Sequence, residues 1–194
     1  MLVGYEANNA LRNASELGEF SRNLISMLAD KHVHDYRALL FASRIKADYK
    51  GYYSSYTNVS TYLPTGSATL MPELWLRYRL NPWLKAEKVK VFHGLNEELP
   101  FHISRDIKTI ITCFGTESHH VTSLPDMLFW RSRMRYAYSA SDVVVAVSDE
   151  VREQLVRMGV DEQKIVVIGV PGRPFEVTDE MADQYYELYA SLKK

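Results

Sequence analysis

The 194-residue sequence has one cysteine, Cys113, which leaves no disulfide framework and no thiolate zinc site to consider. No apolar run approaches the ~18 residues of a membrane span, and the opening MLVGYEANNALRN is too polar for a secretory signal. With 23 basic and 24 acidic residues the formal charge is −1, so the broad basic footprint of a nucleic-acid binder is missing. No G-x-S-x-G elbow, Walker A loop, G-x-G-x-x-G turn or D-x-D pair occurs. These absences set aside serine hydrolases, P-loop enzymes and dinucleotide binders of the usual pattern. The chain reads as cytoplasmic, either free or peripheral to the inner face of the membrane.

Apolar residues are plentiful, at 46% of the chain, and they fall into short runs alternating with amphipathic stretches. Residues 141–159, SDVVVAVSDEVREQLVRMG, show the repeating unit. Val143 to Val147 read as a strand buried on both faces. Ser148 stands at a helix N-cap, and Asp149 and Glu150 complement the positive end of the helix dipole. Val151, Leu155 and Met158 recur at helical spacing, and Gly159 ends the helix.

The rest of the chain reads similarly. Residues 2–7 predict a first strand and residues 8–15 a polar loop with three asparagines. Leu17, Phe20, Leu24, Ile25 and Leu28 mark one face of a helix reaching Lys31. Further strands are predicted at 36–42, 59–63, 89–92, 109–114 and 164–168, with the tyrosine-rich segment 46–55 as a surface excursion. Helices are predicted over 71–80, broken by Asn81-Pro82, and over 125–140. A last helix follows Thr178 and carries Met181, Tyr185, Leu188, Tyr189 and Leu192 as an apolar stripe. This pattern predicts an α/β, Rossmann-like domain over 1–177 with a mainly parallel sheet and helices on both faces. Residues 178–194 are predicted as a helix that docks on the domain or leads out of it. Loops after parallel strands gather on one edge, so Gly18, residues 93–97, residues 114–120, Ser148 and residues 169–173 are expected along one crevice.

The chemistry-bearing residues admit bland readings beside sharper ones. His93 with His119 and His120 suggests a metal site, but adjacent histidines diverge and no Asp or Cys stands at ligand spacing, so no metal is expected. Cys113 reads as a buried strand residue. Trp75, Tyr78 and Trp83 read as core in preference to a stacking platform. Arg131, Arg133 and Arg135 read as a solvated helix face in preference to a phosphate site. Glu97, Glu98 and Glu117 are the carboxylates expected to face the crevice.

Five stretches in order together resemble one family. They are LGEFSRNLI (17–25), VFHGLNEELP (91–100), IITCFGTE (110–117), ASDVVVAVSDEVREQL (140–155), and KIVVIG with the prolines and Phe175 that follow. They resemble the N-terminal domain of family-4-type glycosyltransferases with the GT-B fold, bacterial members in particular. The resemblance implies transfer of a sugar from a nucleotide-sugar to a carbohydrate or lipid-linked acceptor, in a cleft between two Rossmann-like domains. It implies no metal and no cofactor beyond the nucleotide-sugar. It places Gly18 and Glu19 in the loop nearest the donor phosphates, and His93, Gly94, Asn96, Glu97, Phe114, Gly115, Thr116 and Ser148 along the cleft.

This sequence departs from that pattern at two points. Glu16 and Glu19 flank Gly18, where carboxylates would repel a pyrophosphate. Phe114 stands where the family tends to carry a histidine, which leaves His119, His120 and Glu117 as candidates for the catalytic group. Family members also continue into a second, donor-binding domain, whereas Lys194 is the last residue here, so negligible turnover is expected of these residues alone. A cleft face without its partner predicts self-association. The alternatives are a non-catalytic carbohydrate- or protein-binding module on the same scaffold, and an unrelated flavodoxin-like binder.

Overall fold

The computed structural model describes residues 1–115 and 124–193, with the backbone alone described for 124–131. Seven strands form one sheet: β1 (Leu2–Glu6), β2 (Arg37–Phe41), β3 (Val59–Tyr62), β4 (Val91–Gly94), β5 (Lys108–Cys113), β6 (Val143–Ala146) and β7 (Ile165–Val167). Their order is β3-β2-β1-β4-β5-β6-β7 and every pairing is parallel. A sheet of this kind needs crossovers: α1 (Asn8–Arg12) and α2 (Glu16–Lys31) join β1 to β2, α3 (Pro72–Tyr78) and α4 (Asn81–Ala86) join β3 to β4, α5 (Leu124–Ala140) joins β5 to β6 and α6 (Asp149–Arg157) joins β6 to β7. α7 (Asp179–Leu192) follows the last strand, and residues 42–58 and 95–107 join β2 to β3 and β4 to β5 without an α-helix. The fold is Rossmann-like. The central strands β1, β4 and β5 are apolar and closed to solvent nearly throughout, as parallel strands covered on both sides must be.

Two helix starts follow the cap chemistry in the sequence. Ser148 Oγ accepts from Val151 N at 3.3 Å at the head of α6, and Thr178 Oγ1 accepts from Met181 N at 3.3 Å at the head of α7. The segment expected as a polar loop after β1 is instead the short helix α1. Ala10 and Leu11 bury one side of it. Arg22 Nη1, reaching over from α2, donates to the carbonyls of Ala10 at 3.1 Å and Asn13 at 2.8 Å, so carbonyls at the C-terminal end of α1 find a donor. At Asn81-Pro82 one helix ends, as expected, but a second begins. Pro82 falls in the first turn of α4, where its missing N–H costs nothing. Strand β4 starts two residues later than the pattern predicts. Lys88 adopts φ 58° and Val89 N still bonds to Leu84 O at 2.9 Å, so residues 88–89 close α4 instead of opening the strand.

The helix α7 docks on the molecule. Met181, Ala182, Tyr185 and Tyr189 turn inward, Lys31 Nζ of α2 lies 2.8 Å from Asp183, and His32 stacks on Tyr186 with ring centroids 3.7 Å apart. The excursion 46–55 is held down by the buried Tyr53 and by Arg22, whose guanidinium lies 4.2 Å above the Tyr49 ring. Trp75 is buried and meets Trp83 edge-on at 5.9 Å, in keeping with a core role. Tyr78 differs: it is half exposed and stacks on Phe101.

Candidate functional site

Strand order changes direction once. β2 and β3 lie to one side of β1, while β4 to β7 lie to the other. Connections therefore leave the gap between β1 and β4 uncovered at the carboxyl ends of the strands, the position where open α/β sheets take ligands. The last paired residues of the two strands at that gap are Glu6 and Gly94.

Glu6 was not singled out by the sequence reading. Its side chain is 3% exposed. Oε1 accepts from Asn8 N at 3.2 Å, and Oε2 has no hydrogen-bond partner among the described residues. Burial, reinforced by the nearby Glu98 carboxylate, pushes the Glu6 carboxyl up to about 8. A signal was available: a carboxylate closing an otherwise apolar first strand, just ahead of a polar loop. Only the strand order, which the sequence leaves open, gives that position its meaning.

Glu6 opens onto a crevice lined also by Asn8, Glu73, Leu76, Arg77, Glu98, Leu99, Pro100 and Arg133. The other two carboxylates there have cationic partners. Arg12 Nη1 meets Glu73 Oε1 at 2.5 Å and donates to Ser43 Oγ at 2.7 Å; Ser43 Oγ also lies 2.8 Å from Glu73 and 2.9 Å from Asn8 Oδ1. Burial opposes ionisation of Glu73, but the bonds from Ser43 and Arg12 outweigh it and hold this carboxyl below its usual range. Glu98 pairs with Arg133 of α5. That pairing shows Arg133 turned toward the crevice, where a solvated face was expected; Arg135 is exposed as expected. Among the described residues no group of three or more His, Cys, Asp or Glu is arranged to hold a metal ion.

Gly94 admits the loop that carries Glu97 and Glu98. A Cβ there would lie 2.1 Å from the Glu98 carbonyl oxygen, so only glycine lets the chain fold back over the strand end. Glu97 is buried, and its Oε1 accepts from Phe114 N at 3.3 Å, tying the loop after β4 to the end of β5. Asn96 presents a buried Oδ1 without a hydrogen-bond partner among the described residues. Gly115 follows at φ 96°.

Several expected cleft residues have other occupations. His93 is fully buried inside β4 and does not line the crevice. Nδ1 shares a hydrogen bond of 2.7 Å with the Tyr189 hydroxyl of α7, and Nε2 shares one of 2.9 Å with Thr112 Oγ1. Burial lowers the His93 pKa to about 3, so the ring is neutral. Gly18 is also buried, and the close neighbour it admits is this chain's own: a Cβ would lie 2.0 Å from the Asn13 carbonyl oxygen. Glu19 is exposed on the first turn of α2 with Glu16. Phe114 packs between Phe20, edge-on at 4.9 Å, and Phe175, stacked at 5.0 Å. Ser148 caps α6 as described. Cys113 is buried with its thiol 3.6 Å from the Tyr138 hydroxyl, and burial pushes its pKa well up, away from nucleophilic use. Thr116, Glu117, His119 and His120 lie outside the described residues.

This architecture is one Rossmann-like half of a GT-B glycosyltransferase fold, of the N-terminal type. The family model of Glycosyltransferase Family 4 matches residues 19–170, and the chain belongs to that family. Solved structures with a similar fold include the lipopolysaccharide outer core galactosyltransferase WaaB in its apo form. The two are 12% identical with TM-score 0.55, over 87% of this chain and 45% of that one. HepE from Anabaena, in complex with UDP and glucose, gives 13% identity and TM-score 0.52 over 87% of this chain and 43% of that one. A sucrose-phosphate synthase chain from Thermosynechococcus elongatus gives 14% identity and TM-score 0.55, over 100% of this chain and 99% of that one. The chain thus spans less than half the length of the first two. No curated protein matches it by sequence.

Proposed function

We propose that this chain forms the acceptor-side half of a glycosyltransferase that moves a sugar from a nucleotide-sugar to a carbohydrate or lipid-linked acceptor. The observation that carries this reading is the balanced polar lining of the switch-point crevice. Glu73 and Glu98 line it with the arginine partners Arg12 and Arg133, Arg77 lines it too, and Glu6 is held protonated up to about 8. Such a lining offers donors and acceptors to neutral hydroxyl groups without a net positive charge to draw in a diphosphate, which would also meet Glu16 and Glu19 on the first turn of α2. In this reading a second Rossmann-like domain holds most of the nucleotide-sugar, and the reaction uses no metal or further cofactor. The enzyme acts in the cytoplasm or at the inner membrane face. Among the described residues no helix is long and apolar enough to cross a membrane.

The test is turnover. The 194 residues alone are expected to give no transfer from any of a panel of nucleotide-sugars, and joining them to the donor-binding domain of a family member is expected to restore it. Robust transfer or hydrolysis by these residues alone would overturn the reading. One observation favours a second reading, a non-catalytic binding module. Phe114 fills the place expected of a histidine and is locked in an aromatic stack, unable to donate or accept a proton. Tight binding of a protein or carbohydrate with no turnover in the joined form would select that alternative.

A further inference from the structure

We propose that the gap between residues 95–107 and α5 is a binding site for a small amphipathic anion, a ring-sized apolar body bearing a carboxylate or phosphate. The site is separate from the switch-point crevice and does not depend on the glycosyltransferase reading. It arises from the connectivity. Residues 95–107 join β4 to β5 without an α-helix, so loop and α5 close over the start of β5 with no helix to fill the space between them. A cavity of about 330 Å³ remains there, large enough for a small molecule. Its lining grades from the buried Leu99 and Ile107, through the half-buried Ile103 and Tyr136, to the exposed Arg105 and Ala140, so it opens to solvent. Lys108 and Thr109 open β5 and Asp142 precedes β6, which puts the cavity at the amino ends of the strands, opposite the crevice. Leu99 and Pro100 line both. Tyr136 holds the loop over the space. Its hydroxyl accepts from His102 N at 3.2 Å and donates to Pro100 O at 3.4 Å. His102 itself adopts φ 62°, uncommon for a residue with a side chain, so the loop's path is specific.

The ligand's chemistry follows from the lining. Lys108 Nζ donates to Asp142 Oδ1 at 2.8 Å, and Asp142 Oδ2 accepts from Thr109 N at 2.8 Å. That ion pair cancels. Arg105 has no partner among the described residues, and it gives the lining its net positive charge. Asp106, next to Arg105 in sequence, accepts from Ser104 Oγ and is offset by Lys85 and Lys90 nearby. An anion is therefore drawn to Arg105, whose planar guanidinium suits a carboxylate or phosphate. A cation is repelled there and finds the Asp142 carboxylate already engaged. A wholly polar ion leaves Leu99, Ile103 and Ile107 in contact with water, whereas an apolar body displaces that water. The lining thus selects a ligand with one apolar end and one anionic end.

The experiment titrates the 194-residue chain with phenyl phosphate, phenylacetate and hexanoate, following the Ile107, Lys108 and Thr109 amides by NMR. At least one of these anions is expected to shift all three amides saturably, and to bind more tightly than benzyl alcohol or benzylamine. Arg105 is exposed, so its substitution leaves the core intact. Arg105→Ala should weaken the anion about three- to fivefold, the scale of an exposed charge pair, and Arg105→Glu should weaken it further. Ala140→Phe, which places a ring at the mouth, should remove the shifts. Amide dispersion reports whether Ala140→Phe is folded, and Arg105→Glu carries the test if it is not. No saturable shift with any of the three anions would overturn the site, as would anion binding indifferent to Arg105→Glu. Benzyl alcohol or benzylamine binding as tightly as the anions would overturn the assigned charge and the proposal with it. Inorganic phosphate competing as well as phenyl phosphate would reveal a charged surface alone and overturn it too. None of these outcomes bears on sugar transfer, which is tested separately.

Discussion

Glu6 and His93 occupy neighbouring strands and carry opposite pH signatures. Burial holds the Glu6 carboxyl protonated to about 8, far above an unfolded glutamic acid. The unfolded chain then releases this proton first, and stability declines as pH rises from about 4.5 to 8. Glu6→Gln removes that linkage. It is expected to stabilise the fold by about 4 kcal/mol at pH 8 and to change little at pH 4, as read from urea unfolding. Equal or lower stability at pH 8 would show that the buried carboxyl costs nothing. His93 works the other way. Its ring stays neutral down to about 3 in the fold, whereas an unfolded histidine gains a proton near 6.5. Its contribution is complete above that value and is lost as pH falls toward 3. Between pH 7 and 5 the loss should reach roughly 2 kcal/mol. His93→Asn should flatten that part of the stability profile, and an unchanged slope would place the titration elsewhere.

Among the elements, α2, α6 and α7 were legible from their apolar spacing, reinforced by the caps Ser148 and Thr178 at the heads of α6 and α7 and by the stop at Gly159 after α6. The short helix α1 was not, since its three asparagines read as a loop and its carbonyls are satisfied by Arg22 from the next helix. The same join explains Gly18. The Asn13 carbonyl oxygen would lie 2.0 Å from a Cβ, and that atom belongs to backbone, which cannot swing aside as a side chain can. Gly18→Ala should therefore separate α1 from α2 and cost about 2 kcal/mol or more, within the range of overpacked sites. A thermal midpoint equal to the parent's would show that the helix start yields easily. α7 supplies a different kind of fixation. Tyr185 and Tyr189 bring hydroxyls to Thr112 and His93, so a helix legible as an apolar stripe also completes a buried polar chain that no periodicity foretells.

For the whole molecule, alternation of strands and helices was enough to predict a parallel, Rossmann-like sheet. Which strands flank β1 was not readable, because periodicity reports burial and carries no neighbour relation. The crevice was consequently expected along the loops after β1, β4, β5, β6 and β7, with Gly18 and His93 in it. The structure turns His93 inward and puts Glu6 at the strand reversal instead. The surface adds a further expectation. Leu70, Met71, Leu74 and Tyr78 are between 48% and 83% exposed on and just before α3, and patches of this kind promote association. Light scattering should show mass increasing with concentration; a constant monomer mass would contradict it.

The proposed role itself is tested most directly by transfer measured on two preparations, the 194 residues alone and the same residues joined to a donor-binding domain of the family. The account predicts no turnover in the first and sugar transfer to an acceptor in the second. Transfer by the first preparation, or its absence from a folded second preparation, would contradict it.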